Sequence, residues 1–259
     1  MSSSMRIPLL DHGYLELIDS WGSEERIIEA ARMSTDKGFL GWGPHHEANC
    51  SVHDPIVPSW LRLCTCTPKP GDERLLRYLW ENEHATPFEM AGLTFEVQAP
   101  IFVFREWHRH RVPFGYNELS ARYTPIPDVN YIPTLERCML GGGHLTKQAG
   151  TIKDADQLTE ETAHTWLVEL EEFYDRAEEL YQMGLRRGLP KELARLVVPV
   201  GRYSRMRATG NLRGWLGFVR LRAAPTAQWE IRQFAEAVGR CVGERFPRTW
   251  ALFTEGRAK

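Results

Sequence analysis

"LTFEVQAPIFVFREWHRHR", residues Leu93 to Arg111, changes its repeat halfway along. Its first part alternates Leu93, Phe95 and Val97 with Thr94, Glu96 and Gln98, the two-residue period of a half-buried strand. Pro100 then opens a helix expected to run on through Arg111, since proline is tolerated in a first helical turn. No GxGxxG or P-loop pattern occurs, so a nucleotide or flavin site must be of another kind.

Working outward, residues 13–19, GYLELID, also alternate as a strand, and Ser23 is placed to cap a helix through Ser34. Residues 38–71 break the pattern with Gly, Pro, His and Cys and read as an irregular insertion, followed by a helix from Asp72 to about Asn82. Residues 124–157 are loop-rich. From Leu158 to Arg187 the positions Trp166, Leu170, Phe173, Ala177, Leu180 and Gly184 step by three and four, which predicts a long helix packing that face into the core. PKELARLVVPV reads as a short helix and RYSRMRATG as a strand. Asn211 is placed to cap a helix LRGWLGFVRLR, and Thr226 to cap a last long helix, AQWEIRQFAEAVGRCVGERF. Strands and helices do not alternate regularly. The expected fold is therefore α+β, a mainly antiparallel central sheet flanked by long helices, in one domain over 1–259 with the 38–71 insertion.

With a formal net charge of -2 and no charged tail, general adhesion to nucleic acid or membrane is not indicated, so any anion site must be local. No apolar run approaches the ~20 residues of a membrane span. The five cysteines are odd in number and irregularly spaced, which points to free thiols. A cytoplasmic protein is the expectation.

Against this near-neutral background, "WHRHRVPFGYNELSARY" (Trp107–Tyr123) gathers His108, Arg109, His110, Arg111 and Arg122 around one acid, Glu118. On a helix Arg105, His108 and Arg109 would share a face, and a solvated basic helix end is the plain reading. Gly115, Asn117 and Ser120 add loop and cap formers, however, and only arginine and histidine are used. Guanidinium forks match phosphate geometry bidentately, so a phosphorylated ligand fits better.

At this point the sequence resembles the flavin-dependent thymidylate synthases. Their signature is Arg-His-Arg, a spacer, Ser, and an Arg-Tyr pair; here Arg109-His110-Arg111, VPFGYNEL, Ser120 and Arg122-Tyr123 stand in that order. The spacer of eight residues is one longer than the family's. EHATPFEM (Glu83–Met90), APIFVFREWHRHR, ARLVVPV and AQWEI resemble further family blocks, from the N-terminal strand to about residue 253 outside the insertion.

The resemblance implies C5 methylation of a uridine monophosphate, UMP or dUMP. Methylenetetrahydrofolate would be the carbon donor, FAD the flavin, NADPH its reductant, and a homotetramer the assembly. It implies FAD contacts from His84, Thr86, Arg109, His110, Arg111, Asn117, Glu118, Asn211 and Arg213. Nucleotide contacts would come from Glu106, Arg109, Glu118, Ser120, Ala121, Arg122, Arg195 and Arg222. Arg222, Ser120 and Glu118 form the implied catalytic set. Arg222 would stabilise charge developing in the pyrimidine. Ser120 has no adjacent base and would orient the nucleotide rather than attack it. None of the five cysteines follows a proline, unlike the nucleophile of the other thymidylate synthase class.

Four positions depart from the family. Glu106 stands for a glutamine, Gly217 for a common asparagine, and Ala224 and Thr226 replace an Asp-x-His. The added spacer residue would bulge the loop that passes the nucleotide. Other readings stay open: a strict dUMP-to-dTMP synthase, an inactive flavin-nucleotide binder, or a non-enzymatic nucleic-acid binder using the basic cluster with Trp107, Phe114 and Tyr116. His45, His46, Cys50, His53, Cys64 and Cys66 in the insertion match no familiar zinc spacing, and no metal is expected.

Overall fold

The alternation at Leu93, Phe95 and Val97 becomes a central strand whose three apolar side chains are fully buried. In this computed structural model residues 6–43, 70–140 and 158–256 are described. The strands are β1 (Arg6–Leu9), β2 (Gly13–Trp21), β3 (Gly92–Pro100), β4 (Gly115–Glu118) and β5 (Tyr203–Asn211), in the sheet order β1-β2-β3-β5-β4. β1 pairs antiparallel with β2, and β4 with β5. The helices are α1 (Glu24–Arg32), α2 (Glu73–Glu81), α3 (Ile101–Trp107), α4 (Leu135–Met139), α5 (Glu160–Arg186), α6 (Lys191–Ala194), α7 (Leu212–Arg222), α8 (Trp229–Arg245) and α9 (Pro247–Glu255). The expected α+β class is borne out. No helix among the described residues is long and apolar enough to cross a membrane.

The described chain divides into two compact units. The first takes Met1–Asp19, Leu93–Gly210 and Gly214–Cys241. Its core is aromatic. Trp215 of α7 donates its indole N–H to the Leu93 carbonyl at 3.0 Å and meets Phe95 edge-on at 4.9 Å. Trp107 of α3 lies 4.4 Å from Phe218 and 5.9 Å from Trp215. The second unit takes Ser20–Gly92, Asn211–Arg213 and Val242–Lys259. There Ser23 caps α1 as expected, accepting from the Arg26 amide at 3.4 Å. Buried Asp72 accepts from Arg32 and from the Leu40 amide.

Several local expectations are corrected. The helix after β3 ends at Trp107 instead of Arg111; Pro100 closes the strand and also stands at the N-cap of the helix, as expected. The first α3 amides are satisfied from outside the helix: Ile101 donates to the Arg202 carbonyl at 2.9 Å and Phe102 to that of Val200 at 3.0 Å. At the other end the His110 amide turns back to the Trp107 carbonyl at 2.9 Å. Arg105, His108 and Arg109 therefore do not share a helical face. The segment read as a loop contains β4, paired with β5 in regular register from Gly115↔Thr209 to Glu118↔Met206. Leu119 extends that ladder to Arg205. The extra spacer residue is thus taken up before Gly115, in the turn where Phe114 donates to Arg111 at 3.2 Å. The last long helix starts at Trp229, so Thr226 does not cap it.

The buried face of α5 is rotated from the expected one. Ala163, Tyr174, Ala177, Tyr181 and Gly184 are buried, whereas Trp166, Phe173 and Leu180 are exposed. The tyrosine rings pack inward beside the small residues of that face, and the Tyr181 hydroxyl is buried without a hydrogen-bond partner among the described residues. Residues 44–69 of the insertion, with His45, His46, Cys50, His53, Cys64 and Cys66, lie outside the described residues.

A buried cation joins α5 to the start of β5. Arg202 is fully buried and pairs with Glu178 at 2.7 Å and Asp128 at 3.1 Å. It also donates to Asn130 Oδ1 at 3.0 Å and the Pro127 carbonyl at 3.1 Å. Deleting one member of such a set strands buried charge. Arg202→Ala is expected to lower unfolding free energy by about 3 kcal/mol or more. Urea denaturation checks this, and a change below about 1 kcal/mol would show that the network holds little.

Candidate active site

Proline closing β3, a short helix and a returning strand bring distant residues to one open pocket of about 390 Å3. Its polar lining is Arg105 from α3, Glu118 from β4, Ser120, Arg195 and Ser204 from β5. Ile101, Ala121, Ile126 and Val200 add an apolar flank. The volume falls in the range of small-molecule sites. Past β4 the chain turns sharply: the Ser120 carbonyl accepts from the Tyr123 amide at 2.9 Å, and the Ser120 hydroxyl from the Arg122 amide at 3.4 Å. The turn buries Ala121 and leaves Arg122 exposed, its guanidinium 5.5 Å from the Tyr123 ring.

A second cluster forms where α3 and α7 cross. Phe218 and Arg222 lie four apart on α7, so they share a face. Phe218 packs on Trp107 and on the His110 ring, 4.9 Å away. Arg222 then meets the residues beside them. Its Nε donates to His110 Nε2 at 2.9 Å, its Nη2 to the Glu106 carbonyl at 3.1 Å, and its Nη1 to the Glu106 carboxylate. The turn carrying His110 is pinned by Tyr116, whose hydroxyl donates to the carbonyls of His110 at 2.8 Å and Trp107 at 3.1 Å.

Sequence-expected residues therefore separate into groups. Glu118, Ser120, Ala121 and Arg195 share the pocket; Glu106, His110 and Arg222 share the clamp. Arg222 is not in the pocket lining with Ser120 and Glu118. Arg109, Arg111, Asn117 and Arg122 are exposed in the first unit. Neither Arg109 nor Arg111 has a side-chain partner among the described residues. Glu118 stands 4.0 Å from His108. His84, Thr86, Asn211 and Arg213 belong to the second unit, where Arg213 pairs with Glu89 at 2.6 Å. Ser204 and Arg105 are pocket residues that the sequence reading missed. The alternation of β5 carried a signal for Ser204, since it puts residues 204, 206 and 208 on the inward face. Among the described residues no three His, Cys, Asp or Glu side chains converge on a metal-sized site.

Burial, and then the Arg222 charge, push the His110 pKa down from 6.5 to about 4. Its imidazole is therefore neutral and able to accept from Arg222. The unfolded chain binds the proton near 6.5 and the folded chain only near 4, so stability falls as pH drops through that window. Wild type is expected to lose more stability between pH 7 and 4.5 than His110→Gln, which does not titrate, in melts on the two proteins. Parallel losses would show that His110 is not held neutral.

The profile of the family described as "Thymidylate synthase complementing protein" matches residues 16–248. A flavin-dependent thymidylate synthase of Thermus thermophilus is 35% identical over 257 residues, 98% of this chain and 80% of the relative. One from Thermotoga neapolitana is 34% identical over 249 residues, 96% of this chain and 94% of the relative. Among solved structures, the UMP/dUMP methylase PolB from Streptomyces cacaoi is similar in two forms, each 30% identical and covering 96% of this chain and 97% of its own. The TM-score is 0.70 for the form bound with 5-Br UMP and 0.71 for that bound with 5-Br dUMP. A match that runs through both the pocket segment and the Arg222 helix, at this identity and coverage, places the chain in the flavin-dependent thymidylate synthase family.

Proposed function

We propose that this protein methylates C5 of uridine monophosphate, accepting both UMP and dUMP. Methylenetetrahydrofolate is the carbon donor, FAD the flavin, and NADPH its reductant. The observation that carries the reading is the pocket in which adjacent Ser120 and Ala121 meet Arg195 from a distant part of the chain. The likeness to a methylase bound with either 5-Br nucleotide supports it. In the reaction a carbon–carbon bond forms at C5 as the methylene carbon's bonds to the folate nitrogens break and tetrahydrofolate leaves; the C5 proton is lost, and a hydride reduces the transferred carbon to methyl. That hydride is the chemistry that reduced flavin would supply when bound.

The chain's own residues bind and orient. Arg195, with Arg122, holds the nucleotide phosphate by charge-assisted forks. Ser120 and Glu118 fix the nucleotide in the pocket; among the described residues no base is hydrogen-bonded to the Ser120 hydroxyl to make it a nucleophile. Arg222, joined by Glu106, lies outside that lining; in the proposed homotetramer it faces the pyrimidine from another subunit and stabilises negative charge as it develops.

The residues present fit a flavin dinucleotide. Arg109 and Arg111 are exposed cations without side-chain partners among the described residues, suited to a diphosphate. His110, Asn117 and Glu118 add to that set in the first unit. For His84, Thr86, Asn211 and Arg213 the flavin contact is what the family resemblance implies. At Gly217 an added Cβ would meet nothing within 4 Å, so the missing family asparagine leaves open space, not a packed wall.

The exposed apolar row Trp166, Phe173 and Leu180 supports assembly as a homotetramer. The family match spans both compact units, which supports one functional domain. The odd, unpatterned cysteines support a cytoplasmic setting.

A pocket not built to exclude one added hydroxyl discriminates by about 10²-fold or less, so both nucleotides are expected to turn over. Mass spectrometry of products from UMP and dUMP, with methylenetetrahydrofolate and reduced flavin, tests this. Rapid dTMP formation with no 5-methyl-UMP would leave a strict dUMP enzyme, and no product from either would reject the reaction. Arg109→Ala is expected to lose most bound flavin, since charge-assisted hydrogen bonds contribute roughly 1.5–3 kcal/mol each. Absorbance of the purified variant after FAD addition is the measurement.

A further inference from the structure

Among the proposed nucleotide contacts, Glu106 is engaged in a way that a substrate contact would not need. Its carboxylate accepts from Arg222 Nη1 while its own main-chain carbonyl accepts from Arg222 Nη2 at 3.1 Å. One residue thus holds both ends of the guanidinium fork, and His110 holds the third edge through Nε at 2.9 Å. The side chains are partly screened from solvent, Arg222 at 19% exposure and Glu106 at 35%.

We propose that Glu106 is a positioning residue for Arg222, acting on the reaction through that arginine and not by touching the nucleotide. The inference rests on the methylation reading and on Arg222 as the group that meets the base. An arginine has five N–H donors, and this clamp engages three of them. One donor on each Nη is left over for an incoming acceptor. The fork is already oriented before the nucleotide arrives, so little side-chain freedom remains to be lost at the moment of reaction. The supporting layer is rigid. Trp107, next in sequence to Glu106, is fully buried on Phe218, one helical turn before Arg222. The same α3–α7 contact that packs the aromatic rings therefore sets the ion pair face to face. A carboxylate only accepts hydrogen bonds, and this one is already committed to a cation. Its negative charge is also poorly suited to meeting a nucleotide phosphate.

The test uses full-length, flavin-loaded wild type with Glu106→Ala, Glu106→Gln, Arg222→Ala and the Glu106→Ala/Arg222→Ala double variant. Misplacing a preorganised group costs up to about 10²-fold, so Glu106→Ala is expected to lower kcat by roughly 10-fold or more. KM for UMP and dUMP should stay within about 3-fold, because nucleotide binding itself is not removed. Glu106→Gln retains an acceptor for Nη1 and is expected to restore most of kcat. The double variant should be no slower than Arg222→Ala, as two residues acting in one chain of contacts are not additive.

A raised KM with unchanged kcat in Glu106→Ala would make Glu106 a nucleotide contact and overturn the inference. So would a Glu106→Gln variant as impaired as Glu106→Ala, or losses that multiply in the double variant. If wild type forms no product from either nucleotide, the proposed reaction fails on its own account. Urea denaturation of the same proteins then judges the clamp separately: non-additive midpoint shifts uphold it, and additive shifts overturn it.

Discussion

The indole of Trp215 is the constraint on which the first unit is built. It is fully buried, its N–H is spent on the Leu93 carbonyl, and its ring touches Phe95, Trp107 and Phe114. Those neighbours belong to β3, α3 and the turn before β4. A large flat side chain fixed by a directional bond and by edge-on ring contacts has little freedom to repack. It therefore locks α7 against the sheet, and with α7 the distance from Arg222 to the His110 turn. Gly210 admits the same packing, since a Cβ there would stand 2.7 Å from the Phe114 ring.

Charge is sorted by depth in a way that divides structure from function. Arg202, Glu24, Asp72 and Glu230 are buried, and each has a partner. Tyr131 and Arg137 both reach Glu230, and Tyr203 reaches Asp11, so these groups are compensated. The Trp107 indole N–H, the Tyr181 and Thr249 hydroxyls and Arg232 Nε are buried without a hydrogen-bond partner among the described residues. Arg109 and Arg111 are the opposite case: exposed and without side-chain partners among the described residues. A stabilising arginine is committed inside the protein, while a ligand-binding one keeps its donors open. Arg222 stands between these limits, held on one side and with donors left over.

The elements with strong local signals were legible in the sequence. The β3 alternation, the Ser23 cap, the α2 span and the β5-to-α7 junction at Asn211 all stand where residue patterns put them. The failures share a cause: they depend on contacts distant in the chain. The α3 helix starts after Pro100 because the carbonyls of Val200 and Arg202 receive its first amides, a hundred residues away. β4 is a strand only because β5 pairs with it; Gly115 and Asn117 alone read as turn formers. On α5 the choice between Phe173 and Tyr174 as the inward residue is settled by neighbours such as Gly201, where a Cβ would lie 2.1 Å from the Tyr174 hydroxyl. The basic cluster was visible as chemistry, but its split into free cations and an acceptor histidine needed the fold.

The brevity of α3 has a mechanical meaning. At seven residues it is about two turns long and cannot bend internally, so it responds to a push as one lever. Arg105 reaches the pocket from one side of that lever, and its neighbour Glu106 grips Arg222 from another, since adjacent helical residues point about 100° apart. The far end is hinged to Val200 and Arg202, and Val200 is itself a wall of the pocket. An anion drawing on Arg105 would therefore load the same rigid piece that aims the arginine of α7. Pocket and arginine clamp are thus carried by one short helix, through two adjacent residues.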